Sequence, residues 1–206
     1  MVSSLSYRLW NAISSVPPIN PGNILPLVIM LILWVGLHQF QIDEDTIFVI
    51  SVVVAEGYMI WRNLPTAAAS LGTIQKDKPR LLRWPVMAVI GLIAIQLWLN
   101  DPLFTQRVLT GACLFVLIVM LLGLRREQIL LDRVVPLKQH SGRQIKRVGL
   151  LRINALVLAI VITVNETLIA SEPLAVWITV MPLLAILLHG FYWFAVLMVL
   201  PSEEAS

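Results

Sequence analysis

Four ionisable side chains lie within or close against long apolar stretches of this sequence: His38, Glu56 in Val-Val-Val-Ala-Glu-Gly-Tyr, Glu166 in Val-Asn-Glu-Thr, and His189 beside Gly190. An ionisable group in hydrocarbon must be paired or neutral, so each of them either locks two helices together or serves a route for protons or ions. A carboxyl group and an imidazole can exchange protons. Glu56 with His189 would form one such pair inside the membrane, and Glu166 with His38 a second near its outer face. On the plainer reading, each is hydrogen-bonded between helices and fixes their packing. His189 next to a small residue would also accept a haem or chlorophyll-type macrocycle as an axial ligand, but nothing else in the chain singles it out. No cofactor and no metal site is therefore expected. A Gly-rich phosphate loop, a His-x-x-x-His pair and a Gly-x-Ser-x-Gly elbow are all absent from the sequence, and the protein is read as non-enzymatic.

The elements that must position these residues are apolar runs at about 24–40, 46–61, 84–99, 103–124, 150–170 and 174–200. Of 206 residues, 58% are hydrophobic and 13% charged, about half the charged fraction of a soluble domain. The runs are apolar around their whole circumference, which excludes the two-residue alternation of a membrane β-barrel. The expected fold is all-α, a polytopic membrane protein of about six transmembrane helices in three outward-turning hairpins, with both termini cytoplasmic. Several runs fall short of the roughly 20 residues needed to cross about 30 Å of hydrocarbon, so flanking residues extend them or the bilayer thins. Counting about 1.5 Å per residue from the outer face puts Glu56 at about 15 Å and His189 at about 22 Å.

Charge sets the orientation. Of the fifteen Lys and Arg residues, all but Arg107 fall in the N-terminal segment, the inner segments 62–83 and 125–149, or just beyond them at Arg152. The opposite connections are short and acidic: Asp43, Glu44 and Asp45; Asp101 before Pro102; Glu172 before Pro173. That is the positive-inside pattern. It also explains the net charge of +3 without nucleic acid, which is not an expected partner. Anionic lipids at the cytoplasmic face are expected. Residues 1–22 read as an interfacial amphipathic segment ended by Pro17, Pro18 and Pro21, residues 23–200 as the membrane domain, and 201–206 as an acidic tail. Ile129, Leu130, Val134 and Val135 among charges read as an amphipathic helix on the membrane surface. Asn100-Asp101-Pro102-Leu103 and Ser171-Glu172-Pro173-Leu174 hint at a repeated hairpin. The seven tryptophans, mostly near run ends, read as an interfacial belt. Cys113 reads as a small buried apolar residue.

Several short motifs resemble the bacterial intracellular septation protein A family, small inner-membrane proteins linked to cell division and envelope integrity. They are Leu25-Pro26-Leu27-Val28, Leu99-Asn100-Asp101-Pro102-Leu103-Phe104, Arg152-Ile153-Asn154, Val164-Asn165-Glu166, and Val176-Trp177 followed by Val180-Met181-Pro182-Leu183. The likeness runs over most of residues 23–197. It departs from the family at Phe104-Thr105-Gln106-Arg107, where one cation replaces a lysine-containing stretch, and in an inner segment 62–83 that is longer than expected, as in a divergent paralogue. The resemblance implies a multi-pass protein of the bacterial cytoplasmic membrane that binds other membrane proteins in envelope assembly or division. It also implies that Asn165 and Glu166 match the family's Asn-Glu, with Arg107 as a contact of Glu166 at the outer face. Two alternatives stand beside it: an accessory subunit of a larger, pigment- or haem-containing complex, and a proton-coupled or lipid-handling transporter using Glu56.

Overall fold

The structure, a computed structural model, describes the backbone of residues 17–74, 83–134 and 141–199, and the side chains of 17–63, 86–126 and 148–198. Among these residues the chain is entirely helical: α1 (Pro21–Leu37), a 3-10 turn (His38–Phe40), α2 (Glu44–Ile74), α3 (Arg83–Leu99), α4 (Pro102–Val134), α5 (Ser141–Ser171) and α6 (Leu174–Val199). Among the described residues each apolar run falls in a helix of its own, the first ending in the 3-10 turn. Four segments, Pro21–Phe40, Pro102–Arg126, Val148–Ser171 and Leu174–Met198, are long and apolar enough to cross a membrane. The other two fall short for different reasons: α3 has 17 residues, about 26 Å at 1.5 Å per residue, and the apolar part of α2 is broken by Glu56 and Arg62.

Local chemistry sets the helix ends. Asn20 caps α1 through Oδ1, which accepts from the Gly22 amide at 3.0 Å, and Pro21 occupies the first helical position, where its missing N–H and fixed φ fit. Pro21 and Gly22 therefore begin the first apolar helix, and the boundary expected after residue 22 moves to the cap at Asn20. Residues 1–16 and 200–206, which hold most of the expected interfacial segment and the acidic tail, lie outside the described residues. Asp43 caps α2, with Oδ2 accepting from the Thr46 amide and hydroxyl at 3.3 and 3.4 Å. Glu44 and Asp45 follow in the first turn, where the positive end of the helix dipole favours them.

The two turns alike in sequence differ in backbone. Asn100 is left-handed (φ 47°), a conformation Asn tolerates better than most residues. Asp101 then accepts from the Leu103 amide at 2.9 Å, and Pro102 opens α4. In the second turn α6 begins at Leu174, and the Pro173 carbonyl is the first acceptor, for Val176 and Trp177. Proline thus sits inside one helix start and outside the other, so the repeated hairpin is not carried into the geometry. The basic segments also differ from expectation. α2 runs on to Ile74, α4 to Val134, and α5 starts at Ser141, so Ile129, Leu130 and Val134 extend α4 and form no separate surface helix; Val135 is outside the described residues.

The chain divides into two compact units, one of residues 20–107 and 172–179 and the other of the remainder. In the first, α1 and α3 both pack on α2. Flanked in this way, α2 buries Ile47, Phe48, Val49, Val52, Val53 and Ala55, against Met30 and Trp34 of α1, with Trp177 and Ile178 also buried in the first turn of α6. A run of edge-to-face contacts joins His38, Trp34, Phe48 and Trp177, with ring centroids 4.4, 6.2 and 5.2 Å apart. Among the described residues of the second unit the buried apolar ones are Val148, Ile153 and Leu168 of α5 and Met181 and Val196 of α6.

What is buried and what is exposed run against the pattern of a water-soluble protein. Among the described residues the buried side chains of α4 are the polar Thr105 and Gln106, while Phe115 and Leu122 are 69% and 61% exposed; on α6 Leu187 is 69% exposed. Apolar groups outside and polar groups inside is the arrangement a hydrocarbon solvent selects.

Asn100 both supplies the left-handed residue of the turn and donates from Nδ2 to Thr46 Oγ1 at 2.7 Å, tying α3 to α2. Replacing it with Leu loses both, and equilibrium unfolding in SDS–detergent mixtures is expected to show a loss of about 2 kcal/mol. Asn100→Gly keeps the conformation and loses only the hydrogen bond, about 0.6 kcal/mol.

Candidate functional site

Part-buried side-chain hydrogen bonds between helices form two centres among the described residues, one in each unit. In the second unit Thr110 of α4 bonds to adjacent residues of α5: its hydroxyl donates to Glu166 Oε1 at 2.6 Å, and Asn165 Nδ2 donates to its oxygen at 2.8 Å. One hydroxyl thus acts as donor and acceptor at once, using its single proton and one of its two lone pairs. Asn165 is wholly buried. Thr110 and Asn165 could each have been spared a partner only at the cost of a polar group left in an apolar surrounding, so the three residues specify how α4 and α5 face each other. The sequence singled out Asn165 and Glu166 and missed Thr110, whose only signal is a hydroxyl residue one helical turn beyond Gln106 and Arg107. Arg107 is exposed on the second turn of α4 and belongs to the other compact unit.

In the first unit Glu56 of α2 accepts from Gln96 Nε2 of α3 at 3.1 Å. The two residues are offset along the antiparallel helices: Thr46 lies opposite Asn100, and Glu56 is ten positions beyond Thr46 while Gln96 is only four before Asn100. They meet because helical side chains lean toward their own N-terminus, so Glu56 reaches toward the Thr46 end while Gln96 reaches away from it. The partner given to Glu56 is thus a neutral amide on the neighbouring helix; His189, its expected partner, lies in the other unit. Among the described residues, three polar atoms of this unit are buried with no hydrogen-bond partner: Ser51 Oγ, Gln96 Oε1 and Thr105 Oγ1. Buried polar atoms of this kind commonly hold an ordered water or ion. Gln96 is the residue the sequence reading passed over; its signal was a lone amide in Ile-Gln-Leu.

The histidines have separate surroundings. His38 Nδ1 is 2.7 Å from the Trp34 carbonyl, which only accepts, so Nδ1 is the donor of this bond. His189 Nε2 is buried without a partner among the described residues, and the ring meets Trp193 edge-on at 6.4 Å. A Cβ built on neighbouring Gly190 would meet nothing within 4 Å. Trp61 and Trp98 are 71% and 84% exposed, as an interfacial belt requires, whereas Trp34 and Trp177 are buried core residues. Cys113, expected to be buried, is partly exposed. Among the described residues no cluster of three His, Cys, Asp or Glu side chains could hold a metal ion.

Comparison with known proteins finds no matching family model, no matching curated protein and no matching solved structure.

Thr110→Val removes both bonds to α5 and keeps the side-chain shape. Unfolding in SDS–detergent mixtures is expected to show a loss of about 1–2 kcal/mol, interhelical bonds in membranes averaging about 0.6 kcal/mol with a maximum near 1.7. Thr110→Ser is expected to restore most of it, and Thr110→Val/Glu166→Gln to cost less than the sum of the single changes.

Proposed function

We propose that this chain is a six-span protein of the bacterial cytoplasmic membrane, with both termini inside, that works without a reaction of its own by binding other membrane proteins during envelope assembly or division. The reading combines the resemblance to the septation protein A family with one observation of the structure. Asn165 and Glu166, which that resemblance aligns with the family's Asn-Glu, bond through Thr110 to α4, a helix whose side chains from Val108 to Arg126 are all at least partly exposed. A helix oriented by a buried polar clasp while presenting Phe115, Val119 and Leu122 outward is suited to dock against another apolar helix.

A transporter is the second reading, favoured by the unpartnered buried oxygens of Ser51, Gln96 and Thr105 in the unit that holds Glu56. An accessory role in a pigment or haem complex rests on His189, whose Nε2 has no described partner.

Tagged protein purified in nanodiscs from its native membrane separates these readings. Co-purifying division or wall-synthesis proteins, lost in Phe115→Ala/Leu122→Ala and retained in Glu56→Gln, are the expected result. A visible absorption band that disappears in His189→Ala, or a solute flux abolished in Glu56→Gln with no protein partner, contradicts it.

A further inference from the structure

We propose that Arg62, whose guanidinium packs over Gly22 in the first turn of α1, binds the phosphate of an anionic phospholipid. A Cβ built on Gly22 would overlap the Arg62 guanidinium, so the guanidinium occupies the space a side chain at position 22 would fill. Arg62 is half-buried, yet among the described residues it has neither a hydrogen bond nor an ion pair. Glu56, the acid before it on α2, points instead to Gln96. Asp43, Glu44 and Asp45 are at the far end of the same helix.

A guanidinium is thus held against the positive end of a helix, two charges of the same sign, with no described carboxylate beside them. Asn20 already accepts from the Gly22 amide through its side chain and from the Asn23 amide through its carbonyl, so the α1 backbone does not compete for an incoming anion, and recognition falls to the guanidinium. Its planar fork of donors matches a phosphate better than a point charge would.

The surroundings favour a lipid over a free anion. Trp61, beside Arg62, is 71% exposed, and Leu25, one turn into α1, is 42% exposed. Indole prefers the headgroup level, and an apolar flank next to a cation matches the boundary between acyl chains and phosphates. The proposal rests on the helices spanning a bilayer, and it gives residues to the anionic-lipid contacts expected at the cytoplasmic face.

Native mass spectrometry of the purified chain, titrated with phosphatidylglycerol or phosphatidylcholine in detergent, tests it. The wild type is expected to retain phosphatidylglycerol adducts that Arg62→Gln weakens about fivefold, the effect of about one basic side chain at a membrane surface. Gly22→Ala, which displaces the guanidinium, is expected to weaken them as well, and Arg125→Gln to leave them unchanged. Circular dichroism and gel filtration confirm that each variant is folded. Equal adducts in wild type and Arg62→Gln, equal loss in Arg125→Gln, or displacement of the lipid by millimolar inorganic phosphate would each overturn the site. Micelles have no sides, so failure here leaves the proposed orientation untouched, and an inverted orientation would leave this site standing.

Discussion

Polar groups surrounded by apolar helices are stabilised by partners on those helices, and the pairing of helices in this structure follows from the groups that find them. Thr110 joins α4 to Asn165 and Glu166 of α5, Gln96 joins α3 to Glu56 of α2, and Asn100 joins the α3–α4 turn to Thr46. In water such bonds would exchange with solvent and specify little. In hydrocarbon the alternative to the first two is an unpaired group, so they select which faces of the helices meet, while the exposed Asn100–Thr46 bond ties the turn at the helix ends. Apolar residues are then released to the outside, which is why Phe115, Leu122 and Leu187 are exposed while Asn165 and Gln96 are fully buried.

The helices themselves were legible in the sequence because long apolar stretches bounded by charges leave few other options. All six runs became separate helices, and the acidic segments at Asp43–Asp45 and Asp101 turned out to have a second, local role as caps. Helix lengths were less legible. Charge marks where hydrocarbon ends but does not stop a helix, and so α2 and α4 continue well past the last apolar residue of their runs. The likeness of the two acid-proline turns was misleading for a related reason: four residues do not fix which of them begins the next helix, and the left-handed Asn100 has no counterpart at Ser171.

For the candidate site, the residues with ionisable groups were found and their partners were not. Glu56 and Glu166 stand out against an apolar background, but Gln96 and Thr110 carry weak signals, and pairing across 40 and 56 positions depends on the lean of side chains along each helix and on helix offset. The same limit applies to Trp34 and Trp177: most of the tryptophans read as an interfacial belt, but these two meet Phe48 edge-on in the core. Arg62 shows the reverse case. Sequence reads it as one more inner-face cation, and only the overlap with Gly22 distinguishes it from the others.

The account stands on the helices crossing a bilayer with the acidic turns on one side and the basic ends on the other. Labelling with a membrane-impermeant maleimide tests this most directly, using single cysteines at Ile42, Asn63, Arg126 and Glu172 in a Cys113→Ala background. The account predicts that cysteines at 42 and 172 react in intact cells and that those at 63 and 126 react only after permeabilisation. Reaction at 63 or 126 in intact cells, or equal reaction at all four positions, would contradict it.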